Sequence, residues 1–337
     1  MVRMAAHYGW YKIARSMVPR SARDILIFVR FHSVHLLSQS AMKAWHEWKL
    51  ASIIPYLSRN VPLYKELLSK HPSSSLFDGR HLDVLPIMDT HSFEGRFLEE
   101  YTDRRSPFIV AQATVFRSET RVFLLRRPHL IAPRFRDSLR YRFLLWERPW
   151  RLSASWARIA QVATHAGTEP NHLYISEQEL AQDASVAQRI STYEPYVVES
   201  HLPALQRLVD TVQKRKLPLH PRYCVVVAPQ LERVTRRSIE NALRCEIYNR
   251  FDLDEFGPVG IECRIHDGFH IHVESFMIEI VDDAGHAVPE NREGRILVTD
   301  LYNYQMPFIR YNIEMRGRMS WQLCACGLRS PRLWLES

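Results

Sequence analysis

Apolar residues recur at helical spacing near the N-terminus, in short continuous runs through the middle, and in alternation with polar residues toward the end. Leu50, Ile53, Ile54 and Leu57 share one helical face. Pro55 is expected to kink or end that helix, because it lacks an N–H and crowds the preceding turn. Asn60 is a capping residue type, Pro62 suits a first turn, and Tyr64, Leu67 and Leu68 then fall on one face, which predicts a helix over 60–70. Ser73, Ser74 and Ser75 make a polar break.

The middle of the chain reads as strands alternating with helices. Strands are predicted over 108–116, 159–164 and 173–175, and helices over 179–189 and 205–214. Residues 223–228 are a continuous apolar run between Pro221 and Pro229, the pattern of a strand buried on both faces. A helix over 231–243 and a strand over 245–248 follow. Strand, helix, strand in that order implies a parallel sheet.

After Gly257 the period changes to two. Residues 269–281 are rich in alternating β-formers, and 282–285 and 289–294 carry turn residues. Further strands are predicted over 295–300, 308–312 and 319–323. The fold class is therefore mixed α/β, a parallel-sheet core joined to an antiparallel β region. Three parts are expected: a helical part over 1–105, an α/β core over 106–257 and a β-rich part over 258–337. No Gly-, Ser- or Pro-rich linker separates them.

Composition adds three constraints. No run of 18 apolar residues exists, so no spanning helix is expected. Five Cys, an odd number gathered in the last third, speak against a secreted disulfide framework and for the cytoplasm. The formal charge of +8 is concentrated: ten Arg between Arg117 and Arg151 face only Glu119, Asp137 and Glu147, a local excess of seven. Such a segment suits either a polyanion or a solvated helix face.

Metal chemistry is suggested near the end. Six residues separate Cys263 from His270, and one separates Cys324 from Cys326, with Gly327 directly after. Three thiolates and one imidazole suit tetrahedral zinc, and four protein ligands would make it a closed, structural ion. His266 and His272 are alternatives to His270, and the bland reading is ordinary buried thiols. Cys224 and Cys245 lie in strand-like runs and read as core.

From Tyr248 onward a series of segments resembles the phenylacetate–CoA ligase family of adenylate-forming enzymes. Residues 251–258, Phe-Asp-Leu-Asp-Glu-Phe-Gly-Pro, resemble its Tyr-Gly-x-Thr-Glu-x-Gly motif. Ile261-Glu262-Cys263 and Gly268-Phe269-His270-Ile271 resemble its Glu-Cys and Gly-Leu-His-Ile elements. Glu293-Gly294 through Leu301 resembles its Gly-Glu-Leu-Val-x-Thr-x-Leu strand. Met306-Pro307-Phe308-Ile309-Arg310-Tyr311 resembles Met-Pro-Leu-Ile-Arg-Tyr, and Cys324-Ala325-Cys326-Gly327 matches the family's knuckle. Val61-Pro62-Leu63-Tyr64 is similar to its Val-Pro-x-Tyr segment.

The resemblance implies a fold, a chemistry and a set of site residues. The fold is the large N-terminal body of an adenylate-forming enzyme. A carboxylate attacks the α-phosphorus of ATP, and a thiol, often that of CoA, then displaces AMP from the acyl-adenylate. Glu255 matches the Mg²⁺-holding Glu and Phe251 the aromatic beside adenine. Asp254 lies next to Glu255 in the same motif. Arg310 is placed to meet a phosphate or to form a buried ion pair. Ser118 and Thr120 keep hydroxyls at the phosphate-loop position, and Glu314 stands one residue before the expected ribose-binding Asp, where Met315 now sits. At the matching positions Cys263, His270, Cys324 and Cys326 would hold zinc.

Several departures are written in the same residues. Residues 114–121, Thr-Val-Phe-Arg-Ser-Glu-Thr-Arg, contain no Gly, so backbone N–H groups cannot easily form an anion nest. Asp252 replaces Gly and brings a second carboxylate. The chain ends just past the knuckle, so the small C-terminal domain with its catalytic Lys is expected to be absent. The expected partners are a carboxylic acid, with aromatic acids as one candidate class, and CoA, an acyl carrier or a complementing chain. The rival reading is a scaffold that kept the fold and lost ATP. Nucleic-acid binding is the weakest reading: Tyr141, Phe143, Trp146 and Trp150 interleave with Arg140, Arg142, Arg148 and Arg151, but no accompanying motif supports it.

Overall fold

The computed structural model describes residues 37–70, 82–103, 112–117, 120–125, 159–163, 172–183, 185–304 and 306–336. Two helices lead the described chain, α1 (Gln39–Asn60) and α2 (Pro62–Lys70). Ser38 caps α1 by accepting from the Ala41 N–H. α1 runs through Pro55 instead of ending there. It buries Met42, Leu50, Ile53, Ile54 and Leu57, and that packing holds the helix where propensity alone would not.

A hairpin of β1 (Gln112–Arg117) and β2 (Thr120–Leu125) stands apart from the main sheet. The main sheet takes in β3 (Ile159–Ala163), β4 (His172–Ser176), β5 (Val197–His201), β6 (Tyr223–Val227) and β7 (Glu246–Leu253). These five are parallel, ordered β4-β3-β5-β6-β7. Helices α3 (Glu177–Gln182), α4 (Ser185–Tyr193), α5 (Leu202–Arg215) and α6 (Arg233–Leu243) connect them. The helix expected over 179–189 is broken into α3 and α4, with Asp183 at the break ending α3.

β7 is the turning point of the sheet. Its other edge pairs antiparallel with β8 (Gly257–Glu262), then come β9 (Phe269–Ile271), β13 (Arg332–Leu335), β12 (Tyr311–Ser320), β11 (Gly294–Asp300) and β10 (Phe276–Val281). The alternating β-formers of 269–281 make two strands parted by a turn in which the Ser275 N–H donates to the His272 carbonyl. The two strands expected over 308–312 and 319–323 are one, β12, and Gly317 lies within it, where a Cβ would press on the Trp334 carbonyl of β13.

Two cores result. Val198, Val226 and Ile247 pack with Leu205, Leu208, Ile239 and Leu243 of the connecting helices. Leu50, Leu57 and Tyr64 pack with Phe276, Phe308, Tyr311 and Leu333 of the antiparallel half. The Tyr64 hydroxyl donates to the Pro307 carbonyl (2.9 Å) and accepts from the Ile309 N–H (3.0 Å). The Val-Pro-x-Tyr and Met-Pro-x-Ile-Arg-Tyr segments therefore clamp one another.

Candidate functional site

Residues 251–258 span the end of β7, the turn 254–256 and the start of β8, at the carboxyl end of the last parallel strand. Ligands of open α/β sheets gather at that end. Glu255 projects from this turn, half-buried, and its Oε1 accepts from the Tyr311 hydroxyl at 3.2 Å. The rings of Phe93, Phe256 and Phe308 surround the Tyr311 ring at 6.1, 6.0 and 5.0 Å between centroids, which fixes its hydroxyl.

Thr90 completes the arrangement. Met88 lies beside Tyr311 in a short parallel ladder: the Met88 N–H donates to the Arg310 carbonyl (3.1 Å) and the Asn312 N–H to the Met88 carbonyl (2.7 Å). Asp89 then caps the turn Thr90–Phe93 by accepting from the Ser92 N–H (3.0 Å). Thr90 is fully buried; its hydroxyl donates to Glu314 Oε1 (3.2 Å) and lies 3.3 Å from the Tyr311 hydroxyl. Each hydroxyl has one hydrogen, and each spends it on a carboxylate. Glu255 and Glu314 are thus each held by one of two adjoining hydroxyls, an assembly whose complement is a cation or a ligand hydroxyl. Thr90 carries no sequence signal beyond the Asp89/Ser92 cap. Tyr311 lies inside the Arg-Tyr signature, yet its hydroxyl role follows only from the fold.

Glu314 reaches this position through an unusual backbone. Its φ is +60°, the left-handed region that disfavours side chains, and it lies opposite the register shift between Arg295 and Leu297 of β11. The bulge turns its carboxylate toward Thr90. Arg310 is 2% exposed, and each guanidinium nitrogen has a protein acceptor. Nε and one amino nitrogen meet Glu279 (3.3 and 3.2 Å), and the two amino nitrogens reach the carbonyls of Leu85 (2.8 Å) and Gly285 (2.9 Å). A phosphate would have to displace those bonds, so the structure gives Arg310 the place of a buried tie rather than of a catalytic group.

The other expected residues are scattered in role. Phe251 is buried, its ring 5.7 Å from that of Phe269 between centroids, so it packs in the core rather than lying open beside a base. Asp254 is exposed in the turn. Asp252 does not stand as a free second carboxylate, because Arg250 Nε and one of its amino nitrogens donate to it at 2.7 Å each. Thr120 opens β2, directly opposite Arg117, and Ser118 lies outside the described residues. So does most of the Arg-rich segment with its interleaved aromatics.

A second constellation lies across the antiparallel half. The ligand atoms of Cys263, His270, Cys324 and Cys326 all fall within 4.8 Å of one another. Cys263 Sγ is 3.7 Å from Cys324 Sγ, and Cys326 Sγ is 3.4 Å from His270 Nε2. His270 turns Nδ1 to the Ser330 carbonyl (3.1 Å) and hydroxyl (3.0 Å), which orients Nε2 toward the sulfurs. Gly327, at φ +92°, closes the knuckle by donating its N–H to the Cys324 carbonyl (2.8 Å). The hydrogen bond with Cys326, then burial, pushes the Cys263 thiol up to about 12, and the same bond pulls Cys326 down. Donor type, number and closeness fit a tetrahedral soft cation. His266 instead faces Glu262 and Arg236, and His272 faces Glu274, so of the three histidines His270 is the one in the quartet.

No family model matches the chain. A phenylacetate-coenzyme A ligase of Thermus thermophilus is 28% identical over 151 residues, 43% of this chain and 34% of that protein. The matched stretch thus spans about a third of that relative's length. Among solved structures, the open conformation of a 2-hydroxyisobutyryl-CoA ligase in complex with 2-HIB-AMP and CoA superposes with a TM-score of 0.70. It does so at 13% identity, over 89% of this chain and 75% of that one. The same ligase in its thioesterification state gives 0.64 at 14% identity, over 95% and 69%. The likeness to these structures establishes the fold. No helix among the described residues is long and apolar enough to cross a membrane.

Proposed function

We propose that this chain, phenylacetate–CoA ligase-like in sequence and built on the fold of adenylate-forming enzymes, activates a carboxylic acid as its acyl-adenylate. The observation that carries the reading is the pair Glu255 and Glu314, each held by one of the adjoining Tyr311 and Thr90 hydroxyls, at the carboxyl end of β7. Glu255 would hold Mg²⁺, and Glu314 would accept hydrogen bonds from the ribose hydroxyls in place of the missing Asp. Mg²⁺ supplies charge dispersal on the phosphates when bound. The acid's carboxylate oxygen bonds to the α-phosphorus, and pyrophosphate leaves with the electron pair. A thiol of CoA or of an acyl carrier then attacks the acyl carbon, losing its proton as AMP leaves with the bonding pair, with a complementing chain as a further partner of that step. Zinc in the cysteine–histidine quartet would be structural, since four protein ligands leave no open position.

Calorimetric titration with ATP and Mg²⁺ tests this. Binding in the micromolar range is expected, and Glu255→Gln is expected to weaken it roughly tenfold or more and to remove its Mg²⁺ dependence. Absence of binding up to millimolar ATP sinks the reading. A second prediction follows from the backbone of Glu314. Glu314→Gly should leave stability within about 1 kcal/mol of wild type, because relief of the positive φ offsets the loss of the buried Thr90 hydroxyl's acceptor, while nucleotide binding weakens. Urea midpoints beside ATP titrations check it; a loss of about 2 kcal/mol or more contradicts the strain.

One observation favours a non-catalytic scaffold as the second reading. Arg117 pairs with Thr120, so only Ser118 and Glu119 connect β1 to β2, with no Gly to expose backbone N–H groups to phosphate. A scaffold would bind no ATP and still depend on the quartet.

A further inference from the structure

Alternate residues of the parallel strands face opposite sides of the sheet. Ala160, Val162, Val198, Val226 and Ile247 belong to the core covered by α3 to α6. Gln161, Glu199 and Arg250 therefore share the other face. Gln161 of β3 is directly opposite Glu199 of β5, and Arg250 of β7 is opposite Val227, the last residue of β6. Polar side chains are expensive on a buried sheet face, and these are held together. Gln161 Nε2 and an amino nitrogen of Arg250 donate to the same Glu199 oxygen, each at 2.9 Å. Arg250 and Glu199 are 2% and 3% exposed.

The cluster is incomplete in a specific way. One amino nitrogen of Arg250 is buried with no acceptor, and the buried Oε1 of Gln161 has no donor. An unmet buried donor or acceptor costs about 1–3 kcal/mol, so the cluster is stabilised by whatever satisfies both. A hydrocarbon satisfies neither, a carboxylate can only accept, and an ammonium can only donate. A water, a hydroxyl or a carboxamide does both, and of these the last two are what a substrate can bring. Charge points the same way: one guanidinium faces the carboxylates of Glu199 and Asp252, which opposes a third carboxylate. Arg250 lies on β7 shortly before the turn that bears Glu255, on the side of the proposed nucleotide site.

We infer that Gln161, Glu199 and Arg250 form a specificity subsite for a hydroxyl or carboxamide substituent of the carboxylic acid. The inference rests on the acid-activating reading above for the identity of the ligand. It selects hydroxylated or amide-bearing acids over plain hydrocarbon acids.

The test is calorimetric binding of matched acids to the full chain without nucleotide: lactate against propionate, and mandelate and 4-hydroxyphenylacetate against phenylacetate. In at least one pair the hydroxylated acid should bind on the order of tenfold more tightly. Gln161→Leu removes the acceptor while leaving the Arg250 ion pairs in place, and should reduce that preference to about twofold or less. Arg250→Lys, which keeps the charge and removes the unmet donor, should do the same where it folds. Equal affinity in every pair, no binding of any acid, or a preference unchanged in Gln161→Leu overturns the inference. ATP binding measured on the same samples separates the two proposals. ATP bound without acid discrimination refutes only the subsite, and discrimination without ATP refutes only the adenylation reading.

Discussion

Cys324→Ser is expected to strip the protein of bound zinc and to lower its stability by at least about 3 kcal/mol, or roughly 5–10 °C in Tm. Cys324 sits with Cys326 and Gly327 in the loop before β13, while Cys263 and His270 flank the β8–β9 connection. An ion there would join two stretches of chain that otherwise meet through the short β9–β13 pairing and a few side-chain hydrogen bonds. Removing one of four thiolate or imidazole ligands leaves three groups crowded within a few ångströms and nothing to share. Metal content by plasma emission and thermal unfolding with and without chelator check the prediction. Cys245→Ser is the control: Cys245 lies beside Cys224, 3.4 Å between sulfurs, away from the quartet. It should leave metal content unchanged. A purified protein free of metal, with Cys324→Ser no less stable than wild type, would falsify the zinc assignment.

Arg310→Met is expected to cost about 3–5 kcal/mol, the usual penalty for leaving one partner of a buried ion pair uncompensated. Glu279, 11% exposed at its side chain, would lose its counter-charge, and the carbonyls of Leu85 and Gly285 would lose a donor. The loss should depend on pH. Burial pushes the Glu279 carboxyl above its ordinary 4.5, and Arg310 opposes that push. A carboxyl raised on folding holds its proton where the unfolded chain releases it. Stability is therefore lost as pH rises through the interval beginning near 4.5. Without Arg310 the carboxyl rises further. The variant should stand closest to wild type below that interval and fall away above it. Adding Glu279→Gln should recover part of the loss. Urea unfolding of wild type and the two variants across pH decides it. A cost under about 1 kcal/mol for Arg310→Met would mean the guanidinium is free to serve a ligand.

These regions are legible in the sequence to different degrees. The quartet can be read because soft ligands at close spacing before a Gly leave few alternatives, although spacing alone makes His266, His270 and His272 equivalent. Only the fold turns His270 inward, through Ser330. The clamp between Tyr64 and residues 307–309 is visible as two separate family-like segments, but not as a contact, because 243 positions part Tyr64 from Pro307. β12 reads as two strands since Arg316-Gly317-Arg318 interrupts the apolar alternation. Gly317 is there for close approach to β13, a strand whose four residues are too few to show a period. Arg310 and Phe251 owe their expected roles to family position, and burial has taken both inside. The polar cluster of Gln161, Glu199 and Arg250 has no sequence signature at all. Its members are scattered over three strands, and only parallel register makes them neighbours.

β13 pairs with β12 on one side and β9 on the other, late in chain order but central in the sheet. During synthesis the β7–β9 layer and the β10–β12 meander therefore emerge as two sheets, each with an open edge. Neither edge can close until residues 332–335 have left the ribosome. Over that interval β9 and β12 offer unpaired N–H and C=O groups to any other strand. A nascent chain stalled or cleaved just before residue 332 should be a strong client for chaperones, even though nearly all of its hydrophobic core has already been made.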